Sequence, residues 1–408
     1  MTKPKNRWIN AVAVLPAAAR KLFGQKRTRT GGRALVLGIC GMLLILITAT
    51  DARAQLGVTL NDLVSKPWQM ALVGKTGCGQ TSMLFTGFLS PKSGILTTSS
   101  PCGFSSSTQT FTITSLSSTG AGTANLTCGS GCGWNFDFQV NNLWTMDLVD
   151  VVNGGNNVLA GTAIAQGGGT LPAFPLSQLA GTWQIDLAGN TGCGHASMVF
   201  LGTLNASGSG TGTLTSESGC GPSSSTQTFT ITQWNPATST GTAALTCGSG
   251  CGWSFNIQLD VGATTFNLVD VMNGSNNVLA GTGIQVPEGA TYTLQQLAGP
   301  WRIALVGNTG CGVSAMEFTG TLNTTGTATG ILKGSSGCGS SSSLQTFTIT
   351  SFNFNGSGTA NLTCGPGCGW NFEFQVDAYH WTFNLVDVTN GPGNVLGGTG
   401  IAGYVMGS

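Results

Sequence analysis

Charge is scarce in this sequence, and the few charged residues are unevenly placed. Asp, Glu, Lys and Arg make up 7% of the 408 residues, and histidine occurs only twice. Residues 1–54 hold ten of the fifteen Lys and Arg and one acid, whereas residues 55–408 hold five bases and thirteen acids, a net charge of −8. Because nucleic-acid binding requires basic patches, this composition excludes nucleic acid as a partner.

The N-terminal segment has the pattern of a secretory signal. Its basic residues precede the apolar run ALVLGICGMLLILITAT, and Ala52-Arg53-Ala54 follows. This order predicts a signal peptide over residues 1–54, with export to the periplasm, the cell surface or the extracellular space. The run of about seventeen residues is at the lower limit of a membrane span, so an uncleaved N-terminal anchor is the alternative. We expect membrane contact only through this segment.

No helical periodicity occurs in the rest of the chain, but one unit of about 118 residues occurs three times. The clearest marker is LTCGSGCGW at Leu126–Trp134, which returns at Leu245–Trp253 and, as LTCGPGCGW, at Leu362–Trp370. This period is the size of a small domain. We predict three copies, over residues 55–165, 175–285 and 293–408, with linkers at 166–174 and 286–292.

Each copy contains about eight short segments in which apolar and polar residues alternate. Consecutive strands with short turns predict an all-β fold of three tandem antiparallel eight-stranded up-and-down barrels, because closure removes exposed strand edges. A two-sheet sandwich is the alternative. The alternation predicts that Trp183 and Ile185 point into the core, and that Gln184, Asp186 and Asn267 face solvent. An eight-stranded barrel has room for side chains or one small ligand, and we expect a filled core.

The start of each copy resembles a known family. A Leu-x-x-Leu stretch leads into Gly-Thr-Trp at Leu179–Trp183 and into Gly-Pro-Trp at Leu297–Trp301, with a looser version at Leu63–Trp68. This pattern resembles the calycins, the group that contains lipocalins and avidin-like barrels. The resemblance implies a short helical turn that closes the base of the barrel, with the tryptophan packed against it. It implies no particular ligand.

Cysteine is regular: each copy holds four, all in turns that an up-and-down barrel places at one rim. In an exported chain this pattern predicts disulfides. A four-cysteine zinc site is the alternative. A redox role is disfavoured because no base recurs beside the cysteines. Four cysteines allow three pairings, and the preferred one is Cys78–Cys102, Cys128–Cys132, Cys193–Cys220, Cys247–Cys251, Cys311–Cys338 and Cys364–Cys368.

One acid recurs in all three copies, as Asp150, Asp270 and Asp387 in the motif LVDV-x-NG. We predict that it accepts hydrogen bonds from the backbone of the following Asn-Gly turn. The alternative is a weak calcium site formed by Asp150, Asn153 and Asn156.

Two tryptophans, Trp144 and Trp381, are predicted at the opposite rim, where the second copy has Thr264. Exposed tryptophans suit stacking on sugars, so these two residues, together with the repeated acids, are the candidate binding surface. The two histidines, His195 and His380, have no counterparts in the other copies. We therefore expect no catalytic residue, cofactor or metal.

These features favour an exported, non-enzymatic binding module of the cell envelope or extracellular space. Three linked weak sites gain avidity without new contacts, and the expected ligand is a carbohydrate, a protein surface or a small molecule. The alternatives are a passive structural or adhesin-like spacer, a carrier of small apolar ligands, and a hydrolase.

Overall fold

The computed structural model describes residues 58–127, 133–155, 157–166, 173–246, 252–272, 277–365, 368–391 and 393–403. The predicted signal peptide lies outside these ranges. Within them, helix is limited to α1 (Leu60–Val64) and to two 3₁₀ helices, at Leu176–Leu179 and Leu294–Leu297. None of the described helices is long and apolar enough to cross a membrane.

The strands fall into three antiparallel sheets, one for each predicted copy. The first has nine strands: β1 (Pro67–Thr76), β2 (Gly79–Phe88), β3 (Gly94–Ser100), β4 (Gly103–Gln109), β5 (Phe111–Leu116), β6 (Ala121–Thr127), β7 (Gly133–Val140), β8 (Thr145–Val149) and β9 (Val158–Ala165). The second has eight: β10 (Gly181–Thr191), β11 (Gly194–Leu204), β12 (Ser209–Ser218), β13 (Ser223–Asn235), β14 (Thr240–Thr246), β15 (Gly252–Leu259), β16 (Thr265–Val269) and β17 (Val278–Gln285). The third also has eight: β18 (Gly299–Thr309), β19 (Gly312–Leu322), β20 (Thr327–Ser336), β21 (Gly339–Phe352), β22 (Ser357–Gly365), β23 (Cys368–Val376), β24 (Thr382–Val386) and β25 (Val395–Ala402).

The second and third sheets are closed barrels, because β10 pairs with β17 as well as β11, and β18 pairs with β25 as well as β19. The first sheet curls in the same order, from β4 through β1 and β9 to β5. Its strands β4 and β5 are separated only by Thr110, where β13 and β21 run unbroken. The all-β prediction and the up-and-down strand order are therefore confirmed, and two of the three predicted eight-stranded barrels are closed, whereas the first copy is a curled nine-stranded sheet with β4 and β5 at its two edges.

A tryptophan closes the base of each copy through one hydrogen bond. The indole Nε1 of Trp68 donates to the carbonyl oxygen of Leu63 at 2.9 Å, in the turn formed by α1. Trp183 and Trp301 make the same bond to Leu179 and Leu297, at 2.8 and 2.7 Å. The short helical turn and the packed tryptophan expected from the calycin resemblance are both present.

The interior above that base is filled by aromatic side chains. In the first copy Trp68, Phe85, Phe111, Phe136 and Phe138 are each at most 1% exposed. Aromatic rings also stack in the other copies, for example Phe229 against Phe266, whose centres are 6.1 Å apart. The filled core expected from the inward-facing aromatics is confirmed.

The three copies pack side by side around a pseudo-threefold axis. Thr162, Thr282 and Thr399 are equivalent residues of β9, β17 and β25, and their hydroxyl oxygens form a triangle with sides of 3.0, 3.0 and 2.9 Å. Around it lies an apolar layer of valines and alanines from all three copies, including Val149, Val269 and Ala304. We call the three contact regions joint 1–2, joint 2–3 and joint 1–3.

This packing corrects one prediction. Gln184, Asp186 and Asn267 were expected to face solvent, but they are 6, 2 and 0% exposed. Each alternates with core residues as predicted. The outward face of these strands is covered by another copy rather than by water, because the strands nearest the axis are buried on both faces.

Contacts at both ends show that the copies point the same way. At the cysteine rim, Gln80 Nε2 lies 2.9 Å from His195 Nδ1 across joint 1–2, and Gly155 contacts the backbone of Ser336 across joint 1–3. At the opposite end, a Cβ on Gly262 would lie 2.9 Å from Tyr379. All three cysteine rims therefore lie at one end of the assembly.

Candidate functional site

Disulfides fix the rim of every copy. The structure forms Cys78–Cys102, Cys193–Cys220 and Cys311–Cys338, which are three of the six predicted pairs. Each joins the turn after the first strand of its copy to the turn before the fourth. Because a zinc ligand must be a free thiolate, these bonds are incompatible with a four-cysteine zinc site. Cys128, Cys132, Cys247 and Cys251 lie outside the described residues, as do the side chains of Cys364 and Cys368.

The first copy has an open cavity of about 610 Å³ at this rim, which we call the mouth. Its floor consists of Met83, Leu96 and Trp134, which are 2, 3 and 7% exposed. Below them begins the packed aromatic core. The mouth is lined by Thr76, Gly77, Cys78, Thr81, Met83, Leu96, Thr98, Ser100, Ser105, Ser107, Gly133, Trp134, Asn153 and Asn157.

Hydroxyl groups form most of the wall. Thr98 and Ser105 lie opposite each other on β3 and β4, and their side-chain oxygens are 2.6 Å apart. Thr76 and Thr81 pair in the same way at 2.9 Å. None of the described lining residues carries a charge. The mouth therefore offers hydrogen-bonding groups over an apolar floor, to a ligand without charge.

A short side-chain network holds one part of the wall in place in all three copies. Gln109 Nε2 donates to Ser107 Oγ at 2.9 Å, and Gln109 Oε1 accepts from the Thr127 hydroxyl at 3.0 Å. The second and third copies repeat this network with distances of 2.9 Å throughout, through Ser225, Gln227 and Thr246 and through Ser343, Gln345 and Thr363. The hydroxyl groups of this network are thus held in fixed positions.

The floor is repeated as well. Met198, Leu214 and Trp253 of the second copy are 2, 5 and 9% exposed. In the third copy, Met316, Leu332 and Trp370 are 5, 6 and 6% exposed. The chain therefore carries the same floor and the same Ser-Gln-Thr network three times, at one end of the assembly.

The floor tryptophan of the first copy carries an unused donor. The indole Nε1 of Trp134 is buried and has no hydrogen-bond partner among the residues that the structure describes. A buried donor without a partner costs about 1–3 kcal/mol of stability.

The repeated acids cap turns at the cysteine rims. Asp150 Oδ1 accepts from the backbone nitrogens of Val152 and Asn153 at 3.0 and 3.1 Å, and its Oδ2 accepts from Asn153 Nδ2 at 2.6 Å. Asp387 makes the same bonds to Thr389 and Asn390. Burial raises the pKa of both carboxyl groups, against the lowering effect of these hydrogen bonds. The turn-capping prediction is confirmed for these two copies, and Asp270 accepts from the Met272 nitrogen at 2.9 Å.

The calcium alternative needed oxygens from Asp150, Asn153 and Asn156. In the structure both oxygens of Asp150 already accept hydrogen bonds, and Asn153 Nδ2 is the donor to one of them. Asn156 lies outside the described residues. Across the described part of the chain, no three His, Cys, Asp or Glu side chains converge on a metal position.

Trp144 and Trp381 lie at the end opposite the cysteine rims, and each packs against a neighbouring side chain. Both are only partly exposed. The Lys66 ammonium lies 4.0 Å from the centre of the Trp144 ring, and Tyr379 packs 6.1 Å from Trp381. Trp144 also has a positive φ of 61°, a conformation that Ala263 and His380 adopt in the longer turns of the other copies. Trp144 and Trp381 therefore occupy different positions in the turns of their copies.

The histidines contribute to packing. His195 contacts Gln80 in joint 1–2, and burial, with Lys75 nearby, lowers the pKa of its imidazole. His380 packs edge-on against Tyr292, 4.6 Å between ring centres. Neither lines the mouth.

No protein-family model and no curated protein matches this chain. Among solved structures, CghA is similar over 84% of this chain and 89% of its own, at 10% identity and a TM-score of 0.22. A protein of unknown function from the DUF3598 family of Nostoc punctiforme PCC 73102 is similar over 57% of this chain and 99% of its own, at 13% identity and a TM-score of 0.17. TM-scores of this size support no functional argument, so function rests on the chain's own residues.

The mouth does not stand out in the amino-acid sequence. The repeated serines before TQTFTIT, including Ser105 and Ser107, are its main wall, and they have the composition of an ordinary strand surface. The feature that distinguishes the wall from an ordinary surface is the pairing of Thr98 with Ser105 on facing strands. Recognising that pair requires the strand register.

Proposed function

We propose that this protein is an exported, non-enzymatic binding protein whose three mouths each take a neutral, hydroxyl-rich ligand, with a carbohydrate as the class that fits best. The observation that carries the proposal is the mouth itself: an apolar floor of Met83, Leu96 and Trp134 beneath uncharged hydroxyl and amide groups. Binding sites typically combine an apolar lining with a few fixed polar groups. A sugar ring has matching surfaces, since its C–H faces pack on aromatic rings and its hydroxyls exchange hydrogen bonds.

Export is supported by the disulfides, because such bonds persist in oxidising compartments. The common orientation of the rims supports multivalent binding. Three sites on one face can engage one repetitive surface together, so weak individual sites would give strong overall attachment. The filled cores leave little room for an apolar ligand inside the barrels, which favours binding at the mouths over a carrier function.

The test is calorimetric titration of the oxidised, secreted protein with a panel of neutral oligosaccharides. We expect three equivalents per chain for a matching sugar. The variant Ser105→Trp, which fills the first mouth, is expected to reduce the stoichiometry from three to two. Ser106→Trp is the matched control, because Ser106 is equally exposed on the same strand but points to the outside.

Two results would contradict the proposal. Absence of binding across neutral glycans, combined with binding of an apolar or charged ligand, would exclude the carbohydrate class. Equal loss of binding in both serine variants would show that the ligand does not occupy the mouth.

A further inference from the structure

Joint 1–2 is closed near the axis and open further out. Near the axis, Asn267 Nδ2 donates to the carbonyl oxygens of Gln69 and Thr162 at 3.0 and 2.9 Å, and Gln69 Nε2 donates to Asn267 Oδ1 at 3.2 Å. Further from the axis lies a cavity of about 490 Å³, which we call the cleft. Its walls come from β2, β3 and β4 of the first copy and from β15 and the turn after β16 of the second.

The cleft is separate from the mouth of the first copy. Strands β3 and β4 form a wall between the two cavities, because successive side chains of a strand point to opposite faces. Thr98 and Ser105 face the mouth, whereas Thr97 and Phe104 face the cleft. A ligand in the cleft would therefore contact the outside of the first sheet rather than its interior.

Apolar side chains form much of the cleft. Phe104 and Met272 are 67 and 68% exposed, and they belong to opposite walls. Leu84 and Val271 also line it, and both belong to the valine and alanine layer around the axis or pack against it. None of the described lining residues carries a charge. Exposed apolar side chains that gather around one concave space, rather than lying singly on the surface, are typical of a binding site.

In joint 1–3 the equivalent place is filled by an ion network. Lys333 Nζ lies 3.3 Å from Glu317 Oε2 and 3.3 Å from Asp137 Oδ2, and so links the third copy to the first. The strand registers place Lys333, Glu317 and Asp137 at the positions that three cleft residues hold in joint 1–2, which are Thr97, Leu84 and Asn256. The cleft residues carry no charge and form no such link.

In joint 2–3 the equivalent place is covered by apolar packing. Val199, at the position of Leu84, packs with Val386 and Val388 of the third copy and is 6% exposed. The other two joints thus cover this position with their own side chains, whereas Leu84 stays partly exposed. The cleft is therefore a feature of joint 1–2 that the threefold repeat does not require.

Asn256 supplies the cleft with a hydrogen-bonding group. Its side-chain amide makes no hydrogen bond within the described part of the chain, although its counterpart Asp137 is ion-paired. Asn256 and Leu84 also line a second hollow of about 390 Å³, which continues the cleft along joint 1–2 away from the rim and has Gln166 and Gln233 in its lining. The cleft is therefore apolar at the rim end and rich in amides at the other.

We propose that the cleft is a second ligand site, distinct from the mouths, which takes one small uncharged molecule with an apolar body and a neutral hydrogen-bonding group at one end. Its volume lies within the range of about 300–1,000 Å³ that is usual for small-molecule sites. A charged ligand would lose its hydration without gaining an ionic partner. The apolar side chains surround a concave space between two copies rather than a flat face, which favours a small molecule over a protein partner.

The test uses N-phenylnaphthylamine, an uncharged aromatic amine whose fluorescence rises in apolar surroundings. We expect saturable binding of one equivalent to the full secreted chain. Phe104→Ser with Met272→Thr introduces the residues of the third copy and should weaken binding at least about tenfold, because less apolar surface is then covered. Phe354→Ser is the matched control, since Phe354 is 73% exposed and does not line the cleft.

A second variant closes the cleft in the way that joint 1–3 is closed. Leu84→Glu with Thr97→Lys and Asn256→Asp recreates the ion network of that joint. It should abolish binding of the probe and leave the circular dichroism of the sheets unchanged. Binding that survives in this folded variant would show that the probe lies elsewhere.

Methyl NMR of the methionines identifies the cavity that the probe occupies. Met272 lines the cleft and Met83 lines the first mouth. The probe should shift the Met272 signal and leave the Met83 signal in place, and Ser105→Trp, which fills the mouth, should leave probe binding unchanged. Failure of the sugar site and failure of the cleft are thus distinguished. A shift of Met83 instead of Met272, an equal loss of binding in Phe354→Ser, or no saturable binding would overturn the proposal.

Discussion

Arg302 Nε lies 3.6 Å from Asp147 Oδ1 across joint 1–3, with both side chains almost fully buried. The Arg302 guanidinium also lies 3.3 Å from Glu317 Oε1. The other copies place Gln69 and Gln184 where Arg302 stands. One joint of the assembly is thus closed by charge, and the equivalent contacts elsewhere are closed by amides.

Replacing Arg302 by glutamine leaves Asp147 without its cation, whereas Glu317 keeps Lys333 at 3.3 Å. Removing one partner of a buried pair typically costs about 3–5 kcal/mol, and we expect a loss of that size in the free energy of unfolding at pH 8. At pH 5 the loss should be smaller. Burial, opposed by Arg302, raises the pKa of Asp147 to about 7. At pH 5 this carboxyl group is therefore already neutral and does not need a cation. Denaturant unfolding at the two pH values measures the difference.

The double variant Asp147→Asn/Arg302→Gln is the matched control for that prediction. It recreates in joint 1–3 the Asn–Gln pair of joint 1–2, while Lys333 remains 3.3 Å from Glu317. It should recover most of the stability lost in the single variant. A double variant no more stable than Arg302→Gln would contradict this account of the joint.

The axial threonine triangle predicts how much stability is lost when one of its three hydroxyl groups is removed. Thr282→Val removes one corner and leaves Thr162 and Thr399 with unsatisfied hydrogen-bonding capacity in a buried place. We expect a cost of about 1–3 kcal/mol, since an unpaired buried polar group loses its hydration without compensation. Thermal unfolding with the triple valine variant is the check, because replacing all three partners should be less costly than three separate losses. Additive losses would be evidence against a shared network.

The hydrogen bond of the base tryptophan can be tested by a single conservative substitution. Trp183→Phe keeps an aromatic ring against Phe266, whose centre is 4.7 Å away, but removes the donor to the Leu179 carbonyl. The expected cost is about 1–3 kcal/mol. The 3₁₀ turn at Leu176–Leu179 should also become more open to hydrogen exchange. Unchanged protection of that turn would show that packing alone holds the base closed.

The rim disulfides should stabilise each copy separately. Replacing Cys78 and Cys102 together by serine removes a bond that closes a loop with a sequence separation of 24. The loop-entropy model gives a loss of about 3 kcal/mol. Intact mass spectrometry under native and reducing conditions should show six disulfides in the wild-type chain after removal of residues 1–54, a difference of about 12 Da. Three disulfides instead of six would contradict the predicted pairs outside the described residues.

The repeats and the strand alternation were enough to predict the up-and-down sheets and their filled cores, and the calycin resemblance implied the packed tryptophan at each base. Trp183 and Ile185 point inward as expected. The assembly around the axis was not predicted, because Gln184 and Asn267 alternate with core residues in the same way whether water or another protein surface covers them. One sequence pattern did indicate that a strand is covered on its outer face by protein. The unbroken apolar run Val278, Leu279, Ala280 is typical of a strand buried on both faces, and β17 lies at the axis.

The mouth was missed for a related reason. Its walls are serines and threonines, the same residues that form the outer surface, and only strand register separates Ser105 from Ser106. The candidate surface at Trp144 and Trp381 rested on sequence position in the turn. A difference of one residue in turn length moves Trp144 into a conformation that Ala263 and His380 adopt elsewhere.

The threonine triangle has a consequence for how this chain can change over generations. In a trimer of three identical subunits, any substitution near the axis is present three times, and a charge placed there faces copies of itself. Here the three subunits are one polypeptide, so Arg302 occurs once and can be matched by a single Asp147. Covalent linkage thus frees each contact to acquire its own chemistry without breaking the symmetry of the backbone.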